Sequence, residues 1–259
     1  MKSDTDPEEP MKKTICLVLL FWSVAASAQA ADDAGRIVRD AFDYMRGVTS
    51  TATMEMVIHR PDFTRTMVIK GWTKGDDLGL FNTISPPKDR GNATLKKGNS
   101  MWTFNPKINR VIKLPPSMMS QGWMGSDFSN NDLSKTDSIL HDYTHELLET
   151  KTDGDLKIYR IRSIPKPGAP VVWGMQMLTI RSDFIMLEQR FFDQDEKAVK
   201  TLYTEDIRKM DDRLFPKTWI MKKEEETDTY TRITYQKLEF NTPLDPGLFS
   251  ITSLKNLRQ

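Results

Sequence analysis

Apolar and polar residues alternate with a period of two along most of this chain, and one stretch only keeps a helical spacing. That stretch is Asp32–Gly47, where Ala34, Ile37, Val38, Ala41, Phe42 and Met45 recur three and four residues apart. Arg36, Arg39, Asp40 and Asp43 fill its other face, Asp32-Asp33 suit the positive end of a helix, and Gly47 suits its stop.

The rest reads as strands. Thr53–His59 puts Met54, Met56 and Ile58 on one side, and Arg65–Trp72 sets Met67 and Ile69 against Thr66, Val68 and Lys70 across an Arg60-Pro61-Asp62 turn. Further strands are expected at Leu78–Ile84, Asn92–Lys97, Ser100–Phe104 and Arg110–Leu114, punctuated by Pro86-Pro87, Lys97-Gly98-Asn99 and Asn105-Pro106. The pattern resumes at Tyr143–Glu149, Leu156–Ile164, Trp173–Arg181, Phe184–Phe192, Val199–Ile207, Pro216–Lys223 and Thr229–Phe240. Short connections favour antiparallel pairing over βαβ units. About a dozen such strands would curl into an open or closed barrel or split into a sandwich. The preferred arrangement is up-and-down, with the N-terminal helix against one face. Pro243–Leu248 reads as a turn or short helix, and Ile251–Gln259 as a segment that adds an edge.

Pro115–Lys135 interrupts the alternation, apart from one helical turn at Asn131–Ser134. Its core, Met118-Met119-Ser120-Gln121-Gly122-Trp123-Met124-Gly125, sets four large apolar side chains among small and polar ones. Such a loop either folds over a barrel mouth as a lid or inserts into a partner or a membrane surface. No glycine- or serine-rich linker divides the chain beyond residue 30, so residues 31–259 read as one domain, large enough to bury a core without disulfides.

The N-terminus bears on compartment. Lys12 and Lys13 precede an uncharged run from Ile15 to Ala28, and Ala28-Gln29-Ala30 is a small-x-small site. This is the order of a secretory signal, and the run is short for a membrane span. Export to the periplasm is the expectation, with Ala31 the first residue of the mature chain and Met11 a candidate true start. Cleavage would remove Cys16, the single cysteine, and with it thiol chemistry and cysteine-held metals. A formal charge of +1, with scattered lysine and arginine, gives no reason to expect nucleic acid.

Candidate chemistry is sparse. His141 and His145, flanked by Asp142 and Glu146, would stand roughly 13 Å apart along a strand, too far to share one ion. His59 has no motif around it. Asp127 and Asp132 lie in the irregular loop and form a carboxylate pair, a weak signal for acid/base work beside the more ordinary role of capping a helix. There is no nucleophile elbow, phosphate loop or His-Glu-x-x-His. No enzyme activity, metal or cofactor is expected.

The apolar material is distinctive instead. Of 15 methionines only Met1 and Met11 precede Ala31. Methionine fills irregular space and suits cavities for variable apolar partners, so Met54/Met56, Met175/Met177 and Phe184/Met186 either pack a core or line a concave groove. Trp102, Trp123, Trp173 and Trp219 would add rigid surface to either.

The run Gly122-Trp123-Met124-Gly125-Ser126-Asp127-Phe128-Ser129-Asn130-Asn131-Asp132-Leu133 resembles the central motif of the outer-membrane lipoprotein-sorting-like proteins, an uncharacterised branch of the periplasmic lipoprotein carrier superfamily. Phe104-Asn105-Pro106, Arg110 through Pro115, Asp142-Tyr143, Leu214 through Trp219 and Thr231 through Leu248 share in the resemblance, which spans nearly all of residues 31–259. It implies an incomplete, strongly curved antiparallel β-barrel of about 11–13 strands, with an N-terminal helix and short helical lid segments. It also implies a carrier or chaperone for acyl chains or other hydrophobic cargo, non-catalytic, active in lipoprotein sorting and outer-membrane biogenesis. Resistance-nodulation-division type transporters are the implied partners, with transient membrane contact. Met54, Met56, Met67, Trp102, Trp123, Met124 and Phe128 are the expected groove or lid residues. The competing readings are an accessory subunit of an envelope export system, docking through its apolar loop, and a hydrolase built on Asp127 or Asp132.

Overall fold

The computed structural model describes residues 33–257. The expected signal at Met11–Ala30, the Ala31 start and Cys16 lie outside the described residues. The helical stretch forms α1 over 33–46, with Ala34, Val38 and Ala41 fully buried. Thirteen strands follow: β1 Thr49–Arg60, β2 Phe63–Lys74, β3 Leu78–Ser85, β4 Ala93–Lys97, β5 Ser100–Asn105, β6 Arg110–Lys113, β7 Tyr143–Asp153, β8 Leu156–Pro165, β9 Met175–Arg181, β10 Met186–Phe192, β11 Ala198–Met210, β12 Arg213–Lys223 and β13 Tyr230–Phe240. Two short helices, α2 Asn130–Ser134 and α3 Ser138–His141, sit in the interrupted segment, and α4 covers Ile251–Asn256.

All thirteen strands join one antiparallel sheet, in the order β6-β5-β4-β3-β2-β1-β13-β12-β11-β10-β9-β8-β7. The sheet is curved and does not close, which is the incomplete barrel that the family resemblance implies. It is not one continuous meander. β13 returns beside β1, so the two free edges are β6 and β7, and the irregular segment 114–142 carries the chain from one edge to the other.

Strand register fixes which side chains share a face. Met54 opposes Ile69 and Met56 opposes Met67, while Tyr235 and Ile233 on β13 lie opposite Met54 and Met56. From there the inner face runs through Trp219 and Met221 on β12, Leu202 on β11, Gln189 on β10 and Leu178 on β9. α1 packs Ala34, Val38 and Ala41 on this face against Ile161, Leu178, Ile180 and Met186.

The outer face carries an apolar cluster centred on β3–β5. There Leu80, Ala93, Leu95 and Phe104 are covered by Phe249 and Leu254. The tail therefore adds a helix and not the expected edge strand. Ser250 caps α4 by accepting the Ser253 N–H at 3.0 Å, and Leu254 turns into the outer cluster, an arrangement open to helical spacing and not to a strand. Among the described residues no helix is long and apolar enough to cross a membrane.

Candidate functional site

The segment 114–142 decides what the inner face can hold. It enters the concavity and is pinned at several depths. Gly122 and Ser129 form an isolated bridge, and the Phe128 carbonyl accepts the Trp123 N–H at 2.6 Å, so residues 122–129 close into a tight clasp. A Cβ on Gly122 would overlap the Ser126 carbonyl oxygen, so the first glycine of the motif is a steric requirement. Met124 turns the chain at a φ of 54°, a left-handed conformation that costs a methionine and is held by the surrounding contacts.

The clasp delivers Trp123 into the sheet. The indole is 3% exposed, stands edge-on to Phe81 at 5.4 Å and donates to the Thr94 hydroxyl at 3.1 Å. Met56, Met67, Ile69 and Met101 pack in the same cluster. Asp127 is the electrostatic pin: its carboxylate, wholly buried, accepts from Arg60 Nη2 and Nη1 at 3.0 and 3.1 Å and from the Thr231 hydroxyl at 2.7 Å. Removing one partner of such a pair leaves a buried charge and costs about 3–5 kcal/mol. Asp132 caps α2 in a reciprocal box with Ser129 and pairs with the buried Lys200 amine, whose charge sits 5.0 Å above the Trp173 ring. Both carboxylates are thus committed to holding the crossover in place.

Beyond the clasp the concavity stays open. A cavity of about 310 Å³ lies between α1, the crossover and strands β1, β3 and β9–β13. That volume is at the lower end for small-molecule sites, roughly 300–1,000 Å³. α1 contributes Phe42 and Met45; the crossover contributes Trp123, Phe128 and Leu133; the sheet contributes Met54, Trp173, Met186, Phe191, Leu202, Trp219, Met221 and Ile233.

Polar groups reach it along the crossover, through Asn131, Asp132, Lys135, Thr136 and Ser138, and at three further places. Gln189 donates to Gln176 at 2.7 Å on the β9–β10 wall. Arg46 closes the C-terminal end of α1, paired with Asp137, whose carboxylate lies 3.6 Å from the Lys96 amine. Burial, as the largest cause, pulls the pKa of both cations below the ordinary value. The Tyr235 phenol is the third, and burial alone pushes its pKa up to about 12.

The expected site residues divide accordingly. Met54, Trp123 and Phe128 line this cavity. Met67 and Met124 line a second space behind the clasp, while Met56 is fully buried beneath it. Trp102 does not join them. Register on β4 and β5 puts it on the outer face, against the cluster covered by the tail, with the Lys113 amine 5.3 Å over its ring. Met175 and Met177 also leave the inner face, because β9 buries the alternate residues Gln176, Leu178 and Ile180. Phe184 sits in the β9–β10 turn and is 37% exposed. The walls from α1, β11 and β13 are legible only as apolar positions of regular elements. Continuing the alternation from Ile233 leads to Tyr235.

The histidines do not converge. His141 ends α3 beside Asp76 at 3.5 Å, whereas His145 bonds the Ser163 hydroxyl at 2.8 Å under α1. Among the described residues no three potential ligands gather at one point. Burial, the main cause, pulls the His145 pKa down to about 4, with Lys166 and Arg39 acting in the same direction.

A family model described as uncharacterized protein-like matches residues 75–256. No curated protein matches the chain. Among solved structures, an outer membrane lipoprotein-sorting protein domain from Vibrio parahaemolyticus is 23% identical with a TM-score of 0.74, covering 87% of this chain and 99% of its own. A DUF1329 family protein from Desulfovibrio piger is 20% identical with a TM-score of 0.77, over 87% and 99%. A LolA superfamily protein from Nitrosomonas europaea is 20% identical with a TM-score of 0.70, over 85% and 98%. At these identities the likeness is one of fold, and it is the fold that the resemblance of the Trp123–Phe128 motif implies.

Proposed function

The chain belongs to the uncharacterized protein-like family whose model spans residues 75–256, and on that premise we propose that it binds an acyl chain or similar apolar cargo in the cavity under α1. It would act as a non-catalytic periplasmic carrier for lipidated proteins or lipids. The observation that supports this most is the cavity itself: Trp123 fills part of the concave face, and the space between it and α1 is left unfilled and walled largely by methionine, aromatic and aliphatic side chains. Each methylene transferred there from water gains about 0.8 kcal/mol, so a tail needs no charged anchor to be held. Methionines at positions 54, 186 and 221 let the wall adapt to different chains.

An accessory subunit of a resistance-nodulation-division type transporter is the second reading. It requires an outward apolar loop, and Trp123 at 3% exposure supplies no such patch. The hydrolase reading loses its groups to the Arg60 and Lys200 pairs.

The test is mass spectrometry of organic extracts of protein purified from the periplasm, beside the variant Leu202→Trp, which adds bulk to the cavity wall. The expected result is co-purified lipid in the parent and its loss in a folded variant. Lipid-free parent protein, or equal lipid in both, sinks the reading.

A further inference from the structure

From Arg90 to Ser126 the chain carries six lysines and arginines and no aspartate or glutamate, although it averages about one acid in seven residues overall. Lys96 is buried against Asp137, but most of the remaining charge is gathered at one place. The β5–β6 hairpin turns through Lys107 and Ile108, and β6 then presents Arg110, Ile112 and Lys113 as the last strand of the sheet. Asn105 pairs with Arg110 and Trp102 with Lys113. Strand alternation therefore sends Arg110 and Ile112 to one side of this edge and Lys113 to the other.

Two further observations mark the hairpin. Ile108 is 62% exposed and Ile112 43%, so large aliphatic side chains stand in water between the cations. None of Lys107, Arg110 and Lys113 forms an ion pair among the described residues, in a chain that pairs many of its other cations. We infer that the β5–β6 hairpin docks on an anionic lipid surface, with Ile108 and Ile112 entering the interface and Lys107, Arg110 and Lys113 meeting the headgroups. Long cationic side chains lay their stems along apolar surface and keep their charge at the phosphate level, so the two residue types are compatible at one depth. A protein partner fits less well. A standard interface buries about 800 Å² on each side and is depleted in lysine, whereas this is a narrow tip at a sheet edge.

This surface is distinct from the loop at Met118–Gly125, and it does not depend on what the cavity holds. The experiment is co-sedimentation of the processed protein, collected from the periplasm, with vesicles of phosphatidylcholine alone or with about one-third phosphatidylglycerol. Association is expected with the anionic vesicles only, falling as salt rises. Each basic residue near such a surface is worth about fivefold in binding, so the triple variant K107E/R110E/K113E should lose about a hundredfold or more. The variant I108S/I112S should lose about tenfold at constant salt. Both carry exposed substitutions, and an unchanged thermal midpoint shows that each is folded; if the triple variant unfolds, K107E alone replaces it. Equal association with neutral vesicles, no association with either, or full binding by the charge-reversed variant overturns the inference. Binding to an acidic protein in place of lipid also counts against it. The lipid content of the cavity, read separately by extraction, keeps a failure here apart from a failure of the carrier reading.

Discussion

Met54 and Met56 lie two residues apart on β1, point to the same side of the sheet and share one core cluster, yet only Met54 borders the cavity. Met56 is sealed in the half of the concavity that Trp123 fills, and Met54 forms part of the wall where the filling stops. The filled half is held by a wedge of aromatic and methionine side chains plus the buried Arg60–Asp127 pair. The open half has similar side chains and meets the wedge only at its border, through Trp123, Phe128 and Leu133. The difference is therefore one of what the crossover brings to each half, since composition is nearly the same in both.

The largest effect should come from removing the wedge. Trp123→Ala is expected to cost about 3–5 kcal/mol in denaturant unfolding, as for other buried tryptophans. Trp173→Ala, across the open half, should cost about 1–2 kcal/mol, because its ring already borders unfilled space. Equal losses would break the distinction between the two halves.

Acid should then act on the open half through α1. The His145 pKa is depressed to about 4 from 6.5, so the native state prefers the neutral ring and the unfolded chain binds the extra proton first. The stabilisation is complete above pH 6.5 and is lost as pH falls towards about 4, below which both states are protonated. With partial solvent access, a loss of ~2 kcal/mol is expected over that window. His145→Gln should flatten that part of the stability profile, and an unchanged profile would remove His145 as the cause.

The smallest effect concerns the inside–outside assignment. Trp102→Ala should cost about 1 kcal/mol and leave lipid content unchanged, since its ring packs outside under the tail. Lost lipid would place the functional surface on the wrong face of the sheet.

Much of this architecture is legible in the residue pattern. Alternation along β2 turns Met67 and Ile69 inward, and both are buried at 1% and 0% exposure. The helical turn expected at Asn131–Ser134 is the capped α2. Trp102 and Met175 depart from the pattern's expectation for one common reason. Alternation tells which residues share a face, but not which face becomes concave; that depends on the curvature of the sheet and on what covers each side. The tail departs because Leu254 and Leu257 alone mark its buried side, too little to separate helix from edge strand.

The sequence by itself determined the strands, the one long helix, the turn chemistry and the place where the pattern breaks, because these arise from local periodicity and backbone preference. Tertiary structure alone decided that β13 returns to β1, that segment 114–142 spans the concavity, and that its wedge stops short of α1. Those outcomes rest on contacts between residues far apart in the chain, such as Asp127 with Arg60 and Thr231. No local pattern encodes them. The cavity is what remains after those contacts are made.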